Sequence, residues 1–221
     1  MWSYRDRIHA GQILAKELED VVEKQREHLI LAIPNGGIAV AEPIAKAFEM
    51  DLDIIIVRKL QIPYNPEAGF GALTSFGNVI LNETLVRGLN LDEGTIKQVI
   101  KRTETQIAER KRAYSDLVGH SDPTGKNIIL VDDGLASGYT MIAAVQSLRT
   151  LAPRSITVAI PTAHDNAIDR VRPEVDQLVC PRIERGWSFA VAEAYENWYD
   201  VPDDEVLAIL KRYRESHKKE K

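Results

Sequence analysis

The residues best suited to chemistry lie in one short segment, residues 127–140. A run of four apolar residues ends at the adjacent acids Asp132 and Asp133, and a turn of small residues follows. Small residues let backbone N–H groups approach a ligand closely, and the helix expected next adds partial positive charge at its N-terminus. Ser137 and Thr140 can add hydroxyl donors, whereas ionised aspartates can only accept hydrogen bonds or bind metal. The segment therefore predicts a site for a sugar phosphate whose hydroxyls face the two acids.

A second candidate anion site follows an earlier apolar run. Residues 34–37 include the adjacent glycines Gly36 and Gly37, which allow backbone conformations that expose N–H groups to an anion. Arg58 and Lys59 follow the next predicted strand and could supply positive charge to the same ligand. A lone basic pair at a strand end is also typical of a solvent-exposed surface. Only the presence of the two loops favours the interpretation that this pair binds an anion.

Segment 127–140 resembles the motif that binds 5-phosphoribosyl-1-pyrophosphate (PRPP) in type I phosphoribosyltransferases, where four apolar residues precede two acids, two further residues and a small-residue phosphate loop. It departs from that motif at Gly134, where many members carry an aliphatic residue. In this form it is similar to a bacterial and archaeal group of predicted phosphoribosyltransferases of unassigned substrate. The resemblance runs from Arg5 to Glu205.

The resemblance implies how PRPP is bound. Residues implied for its ribose and 5′-phosphate are Asp132, Asp133, Gly134, Ala136, Ser137, Gly138, Tyr139 and Thr140. Residues implied for its pyrophosphate are Asn35, Gly36, Gly37, Arg58 and Lys59. The family group usually has a basic residue where Asn35 stands, so this loop lacks one charge. Mg²⁺ is implied as the cofactor, and we expect it to keep several waters and bridge ligand oxygens.

Near the C-terminus, residues 187–196 resemble the hood of hypoxanthine-type enzymes. This likeness implies that Phe189 stacks on the base and that Glu196 assists the metal. An alternative is that the aromatic residues simply pack a C-terminal cap; these are Trp187, Tyr195, Trp198 and Tyr199. Ala136 stands where the hypoxanthine-type motif has an acid–base aspartate, which disfavours a 6-oxopurine substrate. No side chain is assigned as a general base.

Apolar β-branched runs alternate with segments of helical period along most of the chain, which predicts βαβ units. The expected fold is α/β, a largely parallel sheet with helices on both faces and a small hood and lid. Predicted strands cover residues 29–33, 53–57, 128–131, 156–160 and 177–180. Predicted helices lie within residues 8–22, 38–48, 92–116 and 141–151. Pro43 is expected to kink the second helix or delay its start.

Three further segments carry expectations. Residues 61–77 contain several prolines and glycines, which predicts a long mobile loop or a loose hairpin that covers the reaction centre, with Tyr64 and Glu67 as its polar residues of interest. Residues 110–112 are basic and are interpreted as a solvated helix face. Residues 182–215 are expected to form the C-terminal cap of a single domain, residues 1–221.

Composition bounds the class of protein. The chain has 221 residues, 44% of them hydrophobic, enough for one core. The net charge of −5 disfavours a nucleic-acid binder. A single cysteine, Cys180, suits a reducing compartment. Because the sequence shows neither a membrane span nor a signal peptide, we expect a soluble, cytoplasmic protein without membrane contact.

Competing folds fit the sequence less well. A receiver domain would open the chain with the acidic strand, and a dinucleotide or P-loop fold would show its glycine motif. The sequence thus favours a transferase that moves the 5-phosphoribosyl group from Mg·PRPP to a nucleobase or other amine, within a possible homo-oligomer. The alternative is a non-catalytic sensor of PRPP or nucleotides.

Overall fold

A five-stranded parallel sheet forms the centre of the computed structural model, with strand order β2-β1-β6-β7-β9. The structure describes residues 3–22, 26–77, 79–114, 117–119, 121–186 and 189–220, without the side chains of Pro66, Glu67 and residues 217–220. Its elements in chain order are α1 (Arg7–Glu17), β1 (His28–Ala32), α2 (Gly36–Phe48), β2 (Asp51–Ile54), β3 (Val57–Ile62), β4 (Asn65–Thr74), β5 (Val79–Leu81), α3 (Glu83–Gly88), α4 (Glu93–Ala113), β6 (Asn127–Val131), α5 (Tyr139–Arg149), β7 (Ser155–Ala159), β8 (Thr162–His164), α6 (Asp165–Val171), β9 (Gln177–Val179), β10 (Arg182–Glu184) and α7 (Asp203–Glu220).

Each of the five predicted strands is present in this central sheet. The largest differences are at β2, which begins at Asp51 and ends at Ile54, whereas Val57 opens the separate strand β3. The register aligns Ala32 at the end of β1 with Val131 at the end of β6 and with Ile54 on the other side. The carboxyl ends of these strands therefore reach the same edge of the sheet.

Helices cover both faces of this sheet. Along β1, Leu29 and Leu31 pack against the side that carries α5 and α6, and Ile30 and Ala32 pack against the side that carries α1, α2 and α7. Strands buried on both faces are continuously apolar, which is how their sequence identified them. Each fully buried aliphatic side chain contributes about 1.5–3 kcal/mol. The predicted α/β fold is confirmed.

Helix α2 begins at Gly36, directly after the loop that follows β1, and passes through Pro43. The expectation that Pro43 delays the start of this helix was wrong. A proline removes one backbone hydrogen bond, but burial of Ile38, Val40 and Ile44 holds both sides of the helix against the core.

Residues 61–77 form most of a hairpin, not a long loop. Strands β3 and β4 pair antiparallel, and β5 adds a third strand beside β4. Of the two predicted alternatives the structure shows the hairpin, in which the glycines mark close approaches: a Cβ at Gly69 would lie 2.2 Å from Cγ of Lys59, and one at Gly71 would lie 2.4 Å from the carbonyl oxygen of Ile80. Tyr64 at the tip is 69% exposed. The side chain of Glu67 lies outside the described residues.

The C-terminal helix α7 packs on α2 and β2. Its buried side chains are Val206, Ile209, Leu210 and Tyr213. Arg212 makes a bidentate contact with the buried carboxylate of Glu42 on α2: its Nε donates to Oε1 at 3.0 Å and its Nη2 donates to Oε2 at 2.7 Å. No helix in the described ranges is both long and apolar enough to cross a membrane.

Candidate functional site

The order in which the chain adds strands to the parallel sheet reverses between β1 and β6. It leaves β1 through α2 toward β2 on one side, and it leaves β6 through α5 toward β7 on the other. Because the two connections diverge, a crevice opens at the carboxyl ends of these neighbouring strands, which is where open α/β sheets bind ligands. The two predicted anion loops follow β1 and β6, so both lie at this crevice.

The two loops are in direct contact. A Cβ at Gly36 would lie 1.8 Å from Oδ2 of Asp133, and one at Gly37 would lie 2.9 Å from the carbonyl oxygen of Val131. Only glycine leaves space for this approach. The glycine pair predicted from the sequence thus lets the acids lie against the start of α2.

The small-residue turn, residues 134–138, ends in the first turn of α5. Gly138 has φ +81° and precedes the helix as its N-cap. Ala136, Ser137, Tyr139 and Thr140 are exposed, so a ligand can reach the open end of the helix. Helix α6 supports the turn from behind.

Two contacts show how α6 supports the turn. Arg170 donates a 2.9 Å hydrogen bond from Nη1 to the carbonyl oxygen of Ser137. A Cβ at Gly138 would lie 3.1 Å from Cγ2 of Val171. Replacement of Gly138 by a larger residue would therefore strain the backbone and crowd α6.

The acid pair is held by Arg7, a residue that the sequence did not single out. Its Nε donates to Oδ2 of Asp133 at 2.9 Å, and its Nη1 donates to the carbonyl oxygen of Tyr199 at 2.8 Å. The guanidinium lies 4.0 Å from the ring centroid of Trp198 and is nearly inaccessible to solvent. No local pattern could have identified Arg7, since Asp133 is 126 residues away in the chain.

The two acids share a partly buried position. Burial raises the pKa of Asp132 well above its usual value, and the neighbouring Asp133 charge raises it further. Burial also raises the pKa of Asp133, although the ion pair with Arg7 opposes that effect. Oδ1 of Asp132 accepts a 2.8 Å hydrogen bond from the backbone N–H of Asp133. A ligand that donates hydrogen bonds would therefore favour ionisation of the pair.

A polar cluster surrounds the side chain of Asn35. Its Nδ2 donates to the carbonyl oxygen of Val201 at 2.7 Å and to Oδ1 of Asp203 at 2.9 Å. Its Oδ1 accepts from Nη2 of Arg110 and from the Tyr114 hydroxyl. The interpretation of residues 110–112 as a solvated face was therefore wrong for Arg110, because the hydrophobic face of α4 turns it toward the β1 loop.

A cleft of about 450 Å³ lies beside this cluster and is lined by Arg58, Lys59, Arg110 and Asp203, among others. Strand β3 thus brings the predicted basic pair, Arg58 and Lys59, to the side of the β1 loop on which the Asn35 side chain lies. Their role in binding stays a prediction. Arg58 is partly buried, and Lys59 is exposed.

The C-terminal cap contacts the crevice at several points. The hydroxyl of Tyr195 donates to the carbonyl oxygen of Asp133 at 2.6 Å. Phe189 is partly buried, with its ring centroid 6.2 Å from that of His164 at the end of β8. Glu196 is exposed and its backbone N–H donates to Tyr4. The roles of Phe189 and Glu196 remain predictions, and Trp187 lies outside the described residues.

Gly134 touches the same cap. A Cβ there would lie 2.6 Å from Cγ1 of Val191 and 3.1 Å from Cγ2 of Thr162. The Val191 side chain thus lies where a larger residue at position 134 would extend. This contact accounts physically for the glycine at which the motif departs from its family pattern.

Most of the chain matches one known protein family. The family model for the phosphoribosyl transferase domain matches residues 5–196. The chain belongs to this family. The resemblance inferred from the motifs is thereby confirmed.

Two relatives come from Mycobacterium tuberculosis, strains CDC 1551 / Oshkosh and ATCC 25618 / H37Rv, and both carry the name "Putative phosphoribosyl transferase". Each is 34% identical over 209 residues, which cover 95% of this phosphoribosyl transferase chain and 46% of the relative. The chain therefore spans about half the length of the curated relatives it matches.

Solved structures agree on the fold. The crystal structure of TT1426 from Thermus thermophilus superposes with a TM-score of 0.83 at 30% identity, over 96% of this chain and 99% of that one. A hypothetical protein from Neisseria gonorrhoeae, solved with bound ppGpp, gives a TM-score of 0.53 at 15% identity, over 96% and 94% of the two chains. The second likeness shows the fold alone.

Proposed function

We propose that this phosphoribosyl transferase domain binds PRPP with Mg²⁺ and transfers the 5-phosphoribosyl group to a nitrogen nucleophile, with release of pyrophosphate. One observation carries the proposal. The acid pair and the glycine loop meet at the switch point of the sheet, beside an open helix N-terminus. That arrangement offers one place for hydroxyls between two places for phosphate.

The 5′-phosphate would bind the turn of residues 136–140 through backbone N–H groups and the hydroxyls of Ser137 and Thr140. Asp132 and Asp133 would accept hydrogen bonds from the ribose 2′ and 3′ hydroxyls. Arg7 would keep the Asp133 carboxylate in position through its 2.9 Å ion pair. The pyrophosphate would lie along the β1 loop, toward Arg58 and Lys59.

The donor set fits a magnesium ion that is held mainly by its ligand. In the described ranges no group of three or more His, Cys, Asp or Glu side chains could hold a metal. The adjacent carboxylates of Asp132 and Asp133 are hard oxygen donors, which Mg²⁺ prefers. They would hold the ion together with oxygens of PRPP and water. The ion would neutralise charge on the departing pyrophosphate.

In the reaction the bond between C1 and the pyrophosphate oxygen breaks, and a bond from the acceptor nitrogen to C1 forms. The bonding electron pair leaves with pyrophosphate, and the acceptor nitrogen loses its proton. The protein's residues would act by positioning and charge stabilisation. The tip of the β3–β4 hairpin, where Tyr64 is exposed, is the proposed lid, and it would close over the crevice to exclude water.

The acceptor is proposed to be a nucleobase or another amine. Phe189 would stack on it from the cap, near His164. The side chain of His164 is fixed by a 2.9 Å hydrogen bond between its Nε2 and the carbonyl oxygen of Gly186. Ala136 offers no acid or base, which disfavours 6-oxopurines.

The decisive experiment incubates the protein with Mg²⁺, PRPP and a panel of purines, pyrimidines and small amines. We expect pyrophosphate release in proportion to nucleotide formed with the correct acceptor. A variant with a shortened hairpin tip should lose turnover more than PRPP affinity, because a lid acts mainly in the transition state. Tight PRPP binding without acceptor-dependent pyrophosphate release would contradict the transferase and favour a sensor. Light scattering tests whether the protein forms a homo-oligomer.

A further inference from the structure

A carboxylate from the C-terminal helix lies among hydrogen-bond donors beside the β1 loop. Oδ1 of Asp203 accepts from Nη2 of Arg110 at 2.8 Å, from Nδ2 of Asn35 at 2.9 Å and from the Tyr114 hydroxyl at 3.2 Å. These donors come from two elements that are distant in sequence, the β1 loop and α4. Their convergence on one oxygen makes a preformed position for an anion.

The surroundings of this position favour more negative charge than Asp203 provides. Three cations line the adjacent cleft, Arg58, Lys59 and Arg110, against two acids, Glu109 and Asp203. A multiply charged anion would complement this excess.

Arg58 gives the most direct evidence that the positive charge beside this cleft is not fully compensated. In the described part of the chain, no residue makes a hydrogen bond or an ion pair with its guanidinium. Burial lowers the pKa of Arg58, and the nearby Arg110 charge lowers it further. Two guanidinium groups that repel each other beside an open cleft are well placed to bind one anion between them.

We infer that Arg110 is a substrate-binding residue for pyrophosphate, and that the Asp203 carboxylate occupies the position of a pyrophosphate oxygen until the ligand displaces it. This inference rests on the proposed function. It assigns to α4 the positive charge that Asn35 does not supply. Asp203 is exposed enough to leave, since 47% of its side chain is accessible.

The higher negative charge of pyrophosphate would drive its displacement of the Asp203 carboxylate. A pyrophosphate group, with its several oxygens and higher charge, can bind Arg110, Arg58 and the loop N–H groups together, whereas one carboxylate oxygen cannot. The same step frees Nδ2 of Asn35 from Asp203, although its 2.7 Å bond to the carbonyl oxygen of Val201 can persist. The loop therefore stays anchored while the anion is exchanged.

The test is calorimetric titration of inorganic pyrophosphate into protein saturated with ribose 5-phosphate and Mg²⁺, so that the turn before α5 is already filled. Arg110→Gln should weaken pyrophosphate binding roughly ten- to hundredfold, as for loss of a charge-assisted hydrogen bond. Arg112→Gln is the matched control, because Arg112 is exposed on the same helix and, among the residues that the structure describes, bonds only to the carbonyl oxygen of Ala108. Ribose 5-phosphate affinity should be unchanged in both variants.

Asp203→Asn provides an independent arm with the opposite sign. It removes the competing charge, so pyrophosphate should bind about two- to fivefold more tightly, in line with the small worth of a half-exposed ion pair. Asn35→Lys in the Arg110→Gln protein should restore part of the lost affinity, because it returns a cation to the loop.

The outcomes distinguish failure of the proposed function from failure of this inference. A wild-type protein that binds neither ribose 5-phosphate nor PRPP would overturn the proposed function. If Arg110→Gln binds ribose 5-phosphate normally and binds pyrophosphate as tightly as the wild-type protein does, only this inference is overturned. Weaker pyrophosphate binding by Asp203→Asn would also overturn it, since Asp203 would then be a support and not a competitor.

Discussion

At the scale of single residues, the two adjacent aspartates differ in what compensates their charge. Asp133 is paired with the buried guanidinium of Arg7. Asp132 instead accepts a backbone hydrogen bond from Asp133, and burial raises its pKa well above the usual value. A poorly hydrated carboxylate of this kind lowers the stability of the free protein. Asp132 is thus an acid that would favour ligand binding although it lowers the stability of the free protein.

This difference predicts opposite effects of two similar substitutions. Asp132→Asn should raise the free energy of unfolding at neutral pH by about 1 kcal/mol, roughly 2–4 °C in Tm, since the amide oxygen can keep the bond to the Asp133 N–H. Asp133→Asn should lower it by about 3 kcal/mol, because Arg7 loses its charged partner. Thermal unfolding of both variants checks the prediction. Equal losses of stability would contradict it.

The pH dependence has a defined sign. The folded protein holds the proton of Asp132 more tightly than the unfolded chain does, so the stability penalty of this carboxylate is present at neutral pH and is relieved as pH falls through its raised pKa. Binding of ribose should show the reverse trend, because the hydroxyls need ionised acceptors.

We therefore expect the affinity for ribose 5-phosphate to fall as pH is lowered, beginning above the ordinary aspartate pKa of 3.8. Calorimetry across the acidic range measures this effect. Inorganic phosphate, titrated in parallel, corrects for protonation of the phosphate group itself. The decrease should be reduced in Asp132→Asn. A pH profile identical for the two ligands would show that the acids do not contact ribose.

At the scale of elements, the cap and the phosphate turn are fitted to each other. Val191 fills the space above Gly134, where a Cβ would lie only 2.6 Å from its Cγ1. A larger residue at position 134 would therefore push the cap away from the crevice.

A double-mutant cycle tests this fit. Gly134→Ala alone should destabilise the protein by about 1–3 kcal/mol through overpacking. Val191→Ala alone leaves a small gap, and the combined variant should recover part of the loss, with a coupling energy of at least about 0.5 kcal/mol. Urea unfolding of the four proteins gives the coupling. Strictly additive losses would mean that the contact is unimportant.

Element-scale features were unequally predictable from the sequence. The five central strands were identified because strands buried on both faces are continuously apolar, and both loops were identified because close approach requires Gly36, Gly37 and Gly138. For residues 61–77 the prolines and glycines left a long loop and a loose hairpin as alternatives, because residues that permit a turn also permit close strand contacts, and the structure shows the hairpin. Arg7 gave no local signal and Arg110 was interpreted as solvated, since their partners follow β6 and β1 and only the fold brings them together.

At the scale of the whole molecule, both ends of the described chain reach the site. Arg7 opens α1 and Asp203 opens α7, and each contacts a loop at the crevice. Helix α7 is held in turn by its buried face against α2 and β2. Damage to that packing should therefore affect the crevice from a distance.

Leu210→Ala should lower the free energy of unfolding by about 2–5 kcal/mol, because Leu210 is fully buried. Lys211→Ala, an exposed change one residue further along α7, should stay within about 0.5 kcal/mol. Denaturant unfolding of both variants provides the comparison. Equal stability would show that α7 is not part of the cooperative fold.

The adjacency of β1 and β6 also bears on how the protein is made. Nearly a hundred residues of chain, with α2, the hairpin and α4 among them, must emerge from the ribosome between these neighbours. Pairing over such a sequence separation is slow, because the chain loses the entropy of loop closure before the stabilising contacts between the strands can form. A nascent chain would hold half of the crevice long before the other half exists. Ligand in the cell can then stabilise only the finished domain, by mass action, and cannot guide the early steps of its folding.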